Sequence, residues 1–375
     1  MDLHPFEVFK TFFRKLEMYR TKQFVLMVVF IAAAFSGSFA QSTWSIQNSG
    51  VPNELDAVVW GNNQFVVVGG SYGNFPRLLT SPDGFTWTER NSGGIDQLYD
   101  VTWTGTQYVA VGLAGAQLGI ILTSPDGIAW TSRTAPANIG LRSVVWNGTQ
   151  LVTTGNGGNI LTSPDGITWT KRTSPVGNAL LSVTWAGSYF VAVGLNGFIV
   201  TSPDGVTWTK QTSPTTTKLN DVAWTGSQLV AVGDGGLVLT SPTGITWTTR
   251  VSGTTTNLQG LVWTGKQLVA VGGNDAGSGS GTLYAILSSP DGINWATRSS
   301  GTGKPLRAII GGVNQFVAVG VQGVVLTAPD DSATVAIQPR NSVRNKRTEV
   351  SKQGRLANGR VTSEGKTRHR IINRQ

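Results

Sequence analysis

The residues that could carry out chemistry are few in this sequence. The chain has no cysteine, and residues 41 to 339 contain no histidine. Thiolate chemistry, disulfides, a Ser-His triad and a histidine metal site are therefore absent from this stretch. Paired carboxylates, which glycoside hydrolysis needs about 5 to 10 Å apart, are the catalytic class that remains. We predict no cofactor and no metal ion.

Aspartate recurs at one position of a short segment, Ser-Pro-Asp-Gly-x-Thr-Trp, which we call the box. Aspartates in turns accept hydrogen bonds from nearby backbone N–H groups. Thr243 replaces the aspartate once, which favours a structural role over a catalytic one. The box aspartates are Asp83, Asp126, Asp165, Asp204 and Asp291, and the box tryptophans are Trp87, Trp130, Trp169, Trp208, Trp247 and Trp295.

The box predicts a hairpin. Its Ser and Pro suit the first two corners of a type I turn, and its Gly can adopt the positive φ that ends such a loop. A β-branched or aliphatic run precedes each box, as at residues 198 to 201, and Thr and Trp follow it. Both flanks of the box are therefore predicted to be strands.

Two more strands complete each repeat. A period begins with Leu-x-x-Val-x-Trp, as at residues 141 to 146, and a Gly-containing turn leads to a strand that ends in Gly. The box tryptophans are 43, 39, 39, 39 and 48 residues apart. Four strands in such a period are typical of a β-propeller, whose blades bury aromatic residues against their neighbours. We predict an all-β, seven-bladed β-propeller of four-stranded antiparallel blades.

The seventh period lacks a complete box. Trp44 lies 43 residues before Trp87 and would supply the missing aromatic residue. We therefore expect an N-terminal strand at Trp44 to complete the last blade and close the ring, which removes exposed strand edges. The alternative is closure from the C-terminal side by residues 334 to 337.

The boxes resemble the Asp-box, or bacterial neuraminidase repeat, and the whole period resembles the seven-bladed photosystem II stability/assembly-factor type of propeller. The resemblance covers residues 42 to 334, although the box is short because the usual one has a further residue between Asp and Gly. It implies a propeller and, for many members, a location outside the cytoplasm. It implies no single function, since relatives include sialidases, xyloglucan-degrading glycosidases and non-catalytic assembly factors.

The ends of the chain are predicted to be separate segments. Residues 1 to 40 have the pattern of a signal peptide, with basic residues before an apolar run and small residues before Gln41. The alternative is an uncleaved membrane anchor, but the run is shorter than the roughly 20 residues of a spanning helix. Residues 41 to 334 are assigned to the propeller, and residues 335 to 375 to a basic, disordered tail.

The net charge of +9 is a property of the tail. Residues 340 to 375 carry 11 basic and two acidic side chains, whereas residues 41 to 339 carry 13 and 15. We therefore predict no specific nucleic-acid binding. Contact of the tail with an anionic surface or polymer is one interpretation, and a solvated extension is the other.

Variable positions of the repeat indicate where a ligand would bind. The loops between second and third strands are enlarged at residues 70 to 77, 113 to 119 and 273 to 284. At the same end, the residues after the first Leu of each period are expected at the mouth of the central channel. The alternative is a water-filled channel without a ligand. The candidate binding residues are Asp56, Tyr99, Asp100, Arg142, Asn220, Asp221, Gln259 and Arg307.

Catalysis has little support in these residues. A sialidase would offer an arginine cluster and a tyrosine with a supporting glutamate, yet the propeller holds only Glu54 and Glu89. Asp100 and Asp221 belong to blades 2 and 5 and are expected to be too far apart for glycosidase chemistry. We predict a secreted or periplasmic, monomeric propeller that binds a protein or a glycan. The alternative is an extracellular glycoside hydrolase or lyase with carboxylates at the channel mouth.

Overall fold

The structure, a computed structural model, describes residues 43–70, 77–91, 97–115, 118–136, 140–274, 284–312 and 315–330. All of them belong to the first of two units of the chain, Met1–Val343. The predicted signal peptide, the predicted tail, the alternative closing strand and parts of the three enlarged loops lie outside the described residues. Within the described residues, no helix is long and apolar enough to cross a membrane.

The described residues form 28 strands in seven antiparallel sheets of four strands, and each sheet is one blade. Blade 1 is β2 (Leu55–Gly61), β3 (Gln64–Gly69), β4 (Arg77–Ser81) and β5 (Thr88–Arg90), and blade 2 is β6 (Gln97–Trp103), β7 (Tyr108–Ala114), β8 (Leu118–Ser124) and β9 (Thr131–Arg133). Blade 3 is β10 (Leu141–Trp146), β11 (Leu151–Gly155), β12 (Ile160–Ser163) and β13 (Thr170–Arg172), and blade 4 is β14 (Leu180–Trp185), β15 (Phe190–Gly194), β16 (Ile199–Ser202) and β17 (Thr209–Gln211).

Blade 5 is β18 (Leu219–Trp224), β19 (Leu229–Gly233), β20 (Val238–Ser241) and β21 (Thr248–Arg250), and blade 6 is β22 (Leu258–Trp263), β23 (Leu268–Gly272), β24 (Ala285–Ser289) and β25 (Ala296–Arg298). Blade 7 is β26 (Leu306–Gly312), β27 (Gln315–Gly320), β28 (Val324–Pro329) and β1 (Ser45–Asn48). The first strand of each blade contacts the first strand of the next, and β26 contacts β2. The blades therefore form a closed ring, and the predicted seven-bladed propeller is confirmed.

The N-terminal strand β1 completes blade 7. It pairs antiparallel with β28, with Ser45 opposite Thr327. Trp44, directly before the strand, is buried and packs against Phe316 with ring centroids 5.9 Å apart. The prediction that an N-terminal strand closes the ring is confirmed.

The hydrophobic core lies between the blades. Seven clusters of buried side chains each combine residues from two neighbouring blades. Between blades 2 and 3, for example, Val111 and Ile121 pack with Leu141 and Leu161. Burying one such side chain stabilises the fold by about 1.5 to 3 kcal/mol. A blade with two apolar faces needs a neighbour on each side, which is why the blades form a ring.

Each first strand carries a β-bulge near its start. In blade 1, Leu55 pairs with Gly69 and Ala57 with Val68, so Asp56 has no partner across the ladder. The same shift in register occurs in the other six blades. A Cβ atom at Gly69 would lie 2.2 Å from the Glu54 carbonyl oxygen, so the bulge requires glycine on the partner strand. A bulge redirects the side chain of the extra residue. In each blade, the bulge residue therefore does not follow the alternation that places its neighbours in the interfaces between blades.

Candidate functional site

The two ends of the ring are built differently. We call the end with the boxes and the turns between first and second strands the box face. The end with the bulges and the loops between second and third strands is called the loop face. The boxes repeat almost unchanged, whereas the loop face differs from blade to blade.

Each box aspartate organises the turn of its own hairpin. One carboxylate oxygen of Asp83 accepts hydrogen bonds from the backbone N–H groups of Thr86 and Phe85, at 2.8 and 2.9 Å. These bonds hold the pKa of the Asp83 carboxyl below its usual value because they favour the ionised form. The remaining four box aspartates make equivalent pairs of bonds. The contacts are those of a structural turn.

Glutamines join five of the six boxes to the neighbouring blade. Gln107 of blade 2 donates a hydrogen bond to the backbone carbonyl of Asp165 in blade 3 at 2.7 Å. This bond recurs from Gln64 to Asp126, from Gln150 to Asp204, from Gln228 to Asp291 and from Gln315 to Asp83. The box face is therefore occupied by contacts that hold blades together.

The contact between blades 4 and 5 differs from this pattern at both the glutamine position and the box aspartate position. Tyr189 stands where six blades have Gln, and it faces the box in which Thr243 replaces Asp. The Tyr189 ring lies against Gly244, where an added Cβ would be 3.1 Å from its Cε2 atom. Its buried hydroxyl has no hydrogen-bond partner among the described residues. An apolar ring contact thus stands in for the hydrogen bond made elsewhere.

On the loop face, the bulge residues of four consecutive blades are charged or aromatic. Two of them, Asp56 and Tyr99, connect through Gln97, whose amide donates to Asp56 Oδ2 at 3.3 Å and whose Oε1 accepts from the Tyr99 hydroxyl at 2.9 Å. The guanidinium carbon of Arg142 lies 4.0 Å from the centroid of the Tyr99 ring. The mouth cluster is defined as Glu54, Asp56, Gln97, Tyr99, Arg142 and Arg307.

Asp56 is a carboxyl group of the mouth cluster whose pKa is strongly shifted. Its side chain still partly reaches solvent, but protein atoms surround the carboxylate, and this burial raises the pKa of Asp56 to about 7. The hydrogen bond from Gln97 opposes the rise, Glu54 adds to it, and Arg307 and Arg142 oppose it. Asp56 is therefore about half protonated at neutral pH.

The two arginines of the cluster are held in different ways. Arg307 lies 3.9 Å from the Glu54 carboxylate. Arg142 donates from Nε to Asn156 Oδ1 at 2.9 Å and stacks on Tyr99. Burial raises the pKa of Tyr99, and the Arg142 charge partly offsets that rise. The cluster thus combines two cations, two carboxyl groups and an aromatic ring.

Asn220 holds the same position in blade 5. Its amide donates to Asp234 Oδ1 and to the Leu258 carbonyl, both at 2.8 Å, and Asp234 lies 3.5 Å from Lys218 Nζ. Gln259, the bulge residue of blade 6, is half-buried.

Four residues of this region were not predicted from the sequence: Glu54, Gln97, Asn156 and Asp234. Asn156 and Asp234 each lie 14 residues after the bulge residue that they bind. A polar pair that recurs at this spacing was the signal in the sequence. Gln97 precedes the first Leu of its period and gave no such signal.

Asp100 lies in a different environment from the one expected. It follows the bulge residue of blade 2 and is 4% exposed. Its carboxylate accepts hydrogen bonds from the Ser143 hydroxyl at 2.8 Å and from the Val144 N–H at 3.0 Å, both in blade 3. Because the bulge turns the preceding residue, Tyr99, out of the ladder, Asp100 faces the interface between blades.

Asp221 has the same arrangement in blade 5 and is 2% exposed. It accepts hydrogen bonds from the Ser182 hydroxyl of blade 4 at 2.7 Å and from the Leu261 N–H of blade 6 at 2.8 Å. Both aspartates therefore join first strands, and neither presents its carboxylate at the channel mouth as expected. Of the predicted site residues, the structure brings together Asp56, Tyr99, Arg142 and Arg307.

The position after the bulge divides the ring into two parts. The side chain at this position is polar in blades 2 to 5. Blades 7 and 1 have alanine there, and blade 6 has glycine. The residues in blade order are Ala57, Asp100, Ser143, Ser182, Asp221, Gly260 and Ala308.

Comparison with known proteins extends these findings. Residues 124–261 match the model of the DUF6242 beta propeller domain. No curated protein matches the sequence. YCF48 from Cyanidioschyzon merolae has a TM-score of 0.59 at 16% identity, over 76% of this chain and 98% of that chain. A structure of YCF48 bound to D1 peptide has a TM-score of 0.61 at 17% identity, over 79% of this chain and all of that chain.

This chain shares their propeller fold. A catalytically inactive virginiamycin B lyase from Staphylococcus aureus, with quinupristin, has a TM-score of 0.62 at 11% identity, over 77% of this chain and 99% of that chain. The predicted similarity to assembly-factor-type propellers is therefore confirmed at the level of the fold. Since one neighbour carries a peptide and another is a lyase, this fold supports more than one function.

Proposed function

We propose that this protein is a secreted, non-catalytic propeller that binds a protein partner through its loop face. The observation that carries the proposal is the mouth cluster, in which two arginines, two carboxyl groups and an aromatic ring meet on the loop face. Polar groups with a rigid aromatic residue are typical of protein-binding surfaces. The box face offers a poorer surface because its carboxylates and glutamines bind the turns and the neighbouring blades.

Two further observations support a protein ligand. A structural neighbour, YCF48, is bound to a D1 peptide. In the sequence, the enlarged loops occur in blades 1, 2 and 6, and blades 1 and 2 also supply residues of the mouth cluster. Variable loops beside a fixed cluster can select one partner.

The binding test is selection of random peptides on the mature protein, followed by affinity measurements with single-site variants. We expect Tyr99→Ala to weaken the selected peptides about tenfold or more, because the variant removes the ring on which Arg142 stacks. Ile167→Ser on the box face is the control, since Ile167 is 49% exposed and lies at the other end of blade 3 from Arg142. Peptides that bind both variants as well as the parent would refute binding at the loop face.

Secretion is tested separately. Expression of the full chain in a bacterium with an intact export pathway should yield a mature protein that begins at Gln41, as N-terminal sequencing would show. An uncleaved N-terminus in the membrane fraction would contradict this part of the proposal.

One observation favours a second candidate function, general acid–base catalysis on a glycan. Asp56 has a pKa of about 7, which suits a group that must give and take protons at neutral pH. The test is a screen of polysaccharides for hydrolysis or elimination. Turnover that is lost in Asp56→Asn would support an enzyme, and absence of turnover across the screen would favour binding alone.

A further inference from the structure

Arg142 is held in an orientation that leaves part of its guanidinium available. Its Nε–H bonds to Asn156 Oδ1 at 2.9 Å, and its flat face lies on Tyr99. Asn156 is itself fixed, because its N–H donates to the Gly140 carbonyl and its carbonyl accepts from Asn159. Of the five N–H donors of an arginine, these contacts and the nearby Tyr99 hydroxyl engage no more than two. Within the described residues, at least three donors are therefore left for a ligand.

A guanidinium with a fixed plane is suited to a planar anion. Carboxylates bind arginine through two parallel hydrogen bonds, and a plane that is already set loses little entropy on binding. Arg142 is half-buried, so such bonds would be screened less than on an open surface.

The charges around Arg142 decide which anion fits. Glu54, Asp56 and Arg307 face the same space, with Tyr99 and Gln97 between them. With Asp56 ionised the two acids balance the two arginines, and with Asp56 protonated the cluster has a net charge of about +1. The cluster can then neutralise one negative charge. A phosphate dianion carries two, and the second would be repelled by the Glu54 carboxylate.

We propose that the mouth cluster is a binding site for a single carboxylate of the partner protein, with Arg142 as the residue that binds it. The inference rests on the binding function proposed above. The carboxylate has two sources in a protein, an acidic side chain or a free C-terminus.

Binding at this site depends on pH. An incoming carboxylate competes with the Asp56 carboxylate for Arg142 and Arg307, both of which act on Asp56. Protonation of Asp56 removes the competitor, so affinity rises as the pH falls through 7. If binding requires protonated Asp56, the affinity increases about tenfold between pH 8 and pH 6. Carboxylates of ordinary pKa on the ligand stay ionised over this range.

Three acetylated tripeptides test the proposal by NMR titration of the full chain. N-acetyl-Ala-Asp-Ala amide carries an acidic side chain, N-acetyl-trialanine carries a free C-terminus, and N-acetyl-trialanine amide carries no charge. We expect at least one charged peptide to bind in the millimolar range and the neutral peptide to bind about tenfold more weakly or not at all. The charged peptide that binds identifies the source of the carboxylate.

Variants assign the binding to the residues named. Arg142→Gln should weaken the charged peptide about tenfold or more, and Arg142→Lys should recover part of the loss. Arg172→Gln is the matched control, because Arg172 is also bound through Nε, to Thr162 Oγ1 at 2.8 Å, but lies on the outer strand β13. Asp56→Asn should bind the peptide with the same affinity at pH 6 and pH 8. Thermal unfolding of each variant confirms that it is folded.

Three results would overturn the inference. They are equal binding of all three tripeptides, binding unchanged in Arg142→Gln, and no binding of either charged peptide at tens of millimolar. None of them refutes the proposed function, which is judged by the selected peptides and the Tyr99→Ala variant.

Discussion

Blades 2 to 5 and blades 6, 7 and 1 hold their first strands together by different means. In blades 2 to 5, buried aspartates and serines form hydrogen bonds from one first strand to the next, as Asp100 does with Ser143. In blades 6, 7 and 1 the same position has Gly260, Ala308 and Ala57. The first strands of blades 6 and 7 approach closely, since a Cβ atom at Gly260 would lie 2.7 Å from the Arg307 carbonyl oxygen.

The second part of the ring also contains the joint between the two ends of the propeller and two of the three enlarged loops. Both parts of the ring supply bulge residues to the mouth cluster, Asp56 and Arg307 from the second part and Tyr99 and Arg142 from the first. Buried polar side chains therefore join the first strands of blades 2 to 5, whereas the first strands of blades 6, 7 and 1 pack through small residues at the same position.

The sharpest test of this difference is Asp221→Ala. The change leaves the Ser182 hydroxyl and the Leu261 N–H without their shared buried acceptor, so we expect a loss of about 3 to 5 kcal/mol in the free energy of unfolding. Denaturant unfolding measures it. Asp234→Ala is the control in the same blade, because it removes a partly exposed ion pair and one part-buried hydrogen bond from Asn220, and it should cost about 1 to 2 kcal/mol. Equal losses would contradict the comparison.

Trp44→Ala tests the joint. The buried ring packs against Phe316, and its removal should cost about 2 to 4 kcal/mol. Trp44→Phe should recover much of the loss because the joint depends on packing. Asp221→Asn should recover little, because an amide offers one acceptor oxygen where the Asp221 carboxylate uses two. If Trp44→Phe is as unstable as Trp44→Ala, packing does not hold the joint.

Asp56→Asn should stabilise the protein at high pH. The folded pKa of about 7 lies above the ordinary value of 3.8, so the favourable contribution of the protonated carboxyl is complete below pH 3.8 and is lost as the pH rises through 7. Above that pH the ionised group costs stability, and we expect the variant to be more stable by about 1 to 3 kcal/mol at pH 8. Unfolding curves from pH 4 to pH 8 should be flatter for the variant. Identical profiles would contradict the assigned pKa.

The smallest expected change in the free energy of unfolding concerns Tyr189 of blade 4 and Thr243 of blade 5, which replace the common Gln and Asp. Gln107→Ala should cost about 1 kcal/mol through the lost bond to Asp165. Tyr189→Gln alone should also destabilise, because it removes a buried ring, whereas adding Thr243→Asp should recover part of the loss by restoring the common pair. A double-mutant cycle measures the coupling, and strict additivity would show that the two positions are independent.

Much of the fold could be predicted because the sequence pattern repeats. The Gly residues, the boxes and the tryptophans recur at fixed spacing, and Trp44 supplied the aromatic residue that the last period lacks. Those signals are local, since a turn or a strand is set by its own residues and neighbours.

The site followed less well because a bulge breaks the alternation on which strand predictions rest. Tyr99 and Asp100 are adjacent, so sequence analysis placed both at the channel mouth. The bulge takes only Tyr99 out of the ladder and leaves Asp100 between blades. The cluster itself combines Gln97 with residues of four blades, and such contacts depend on the closed ring rather than on any single period.

The pairing of β1 with β28 sets an order for synthesis. Gln47 and Thr327, which are hydrogen-bonded across that pair, are 280 residues apart. The strand made first on the ribosome must therefore wait for the strand made last, and six blades can assemble before the ring is sealed. A nascent chain that stalls before Val324 leaves β1 without its edge partner, so a chaperone or a protease would meet the unfinished protein at its N-terminal strand.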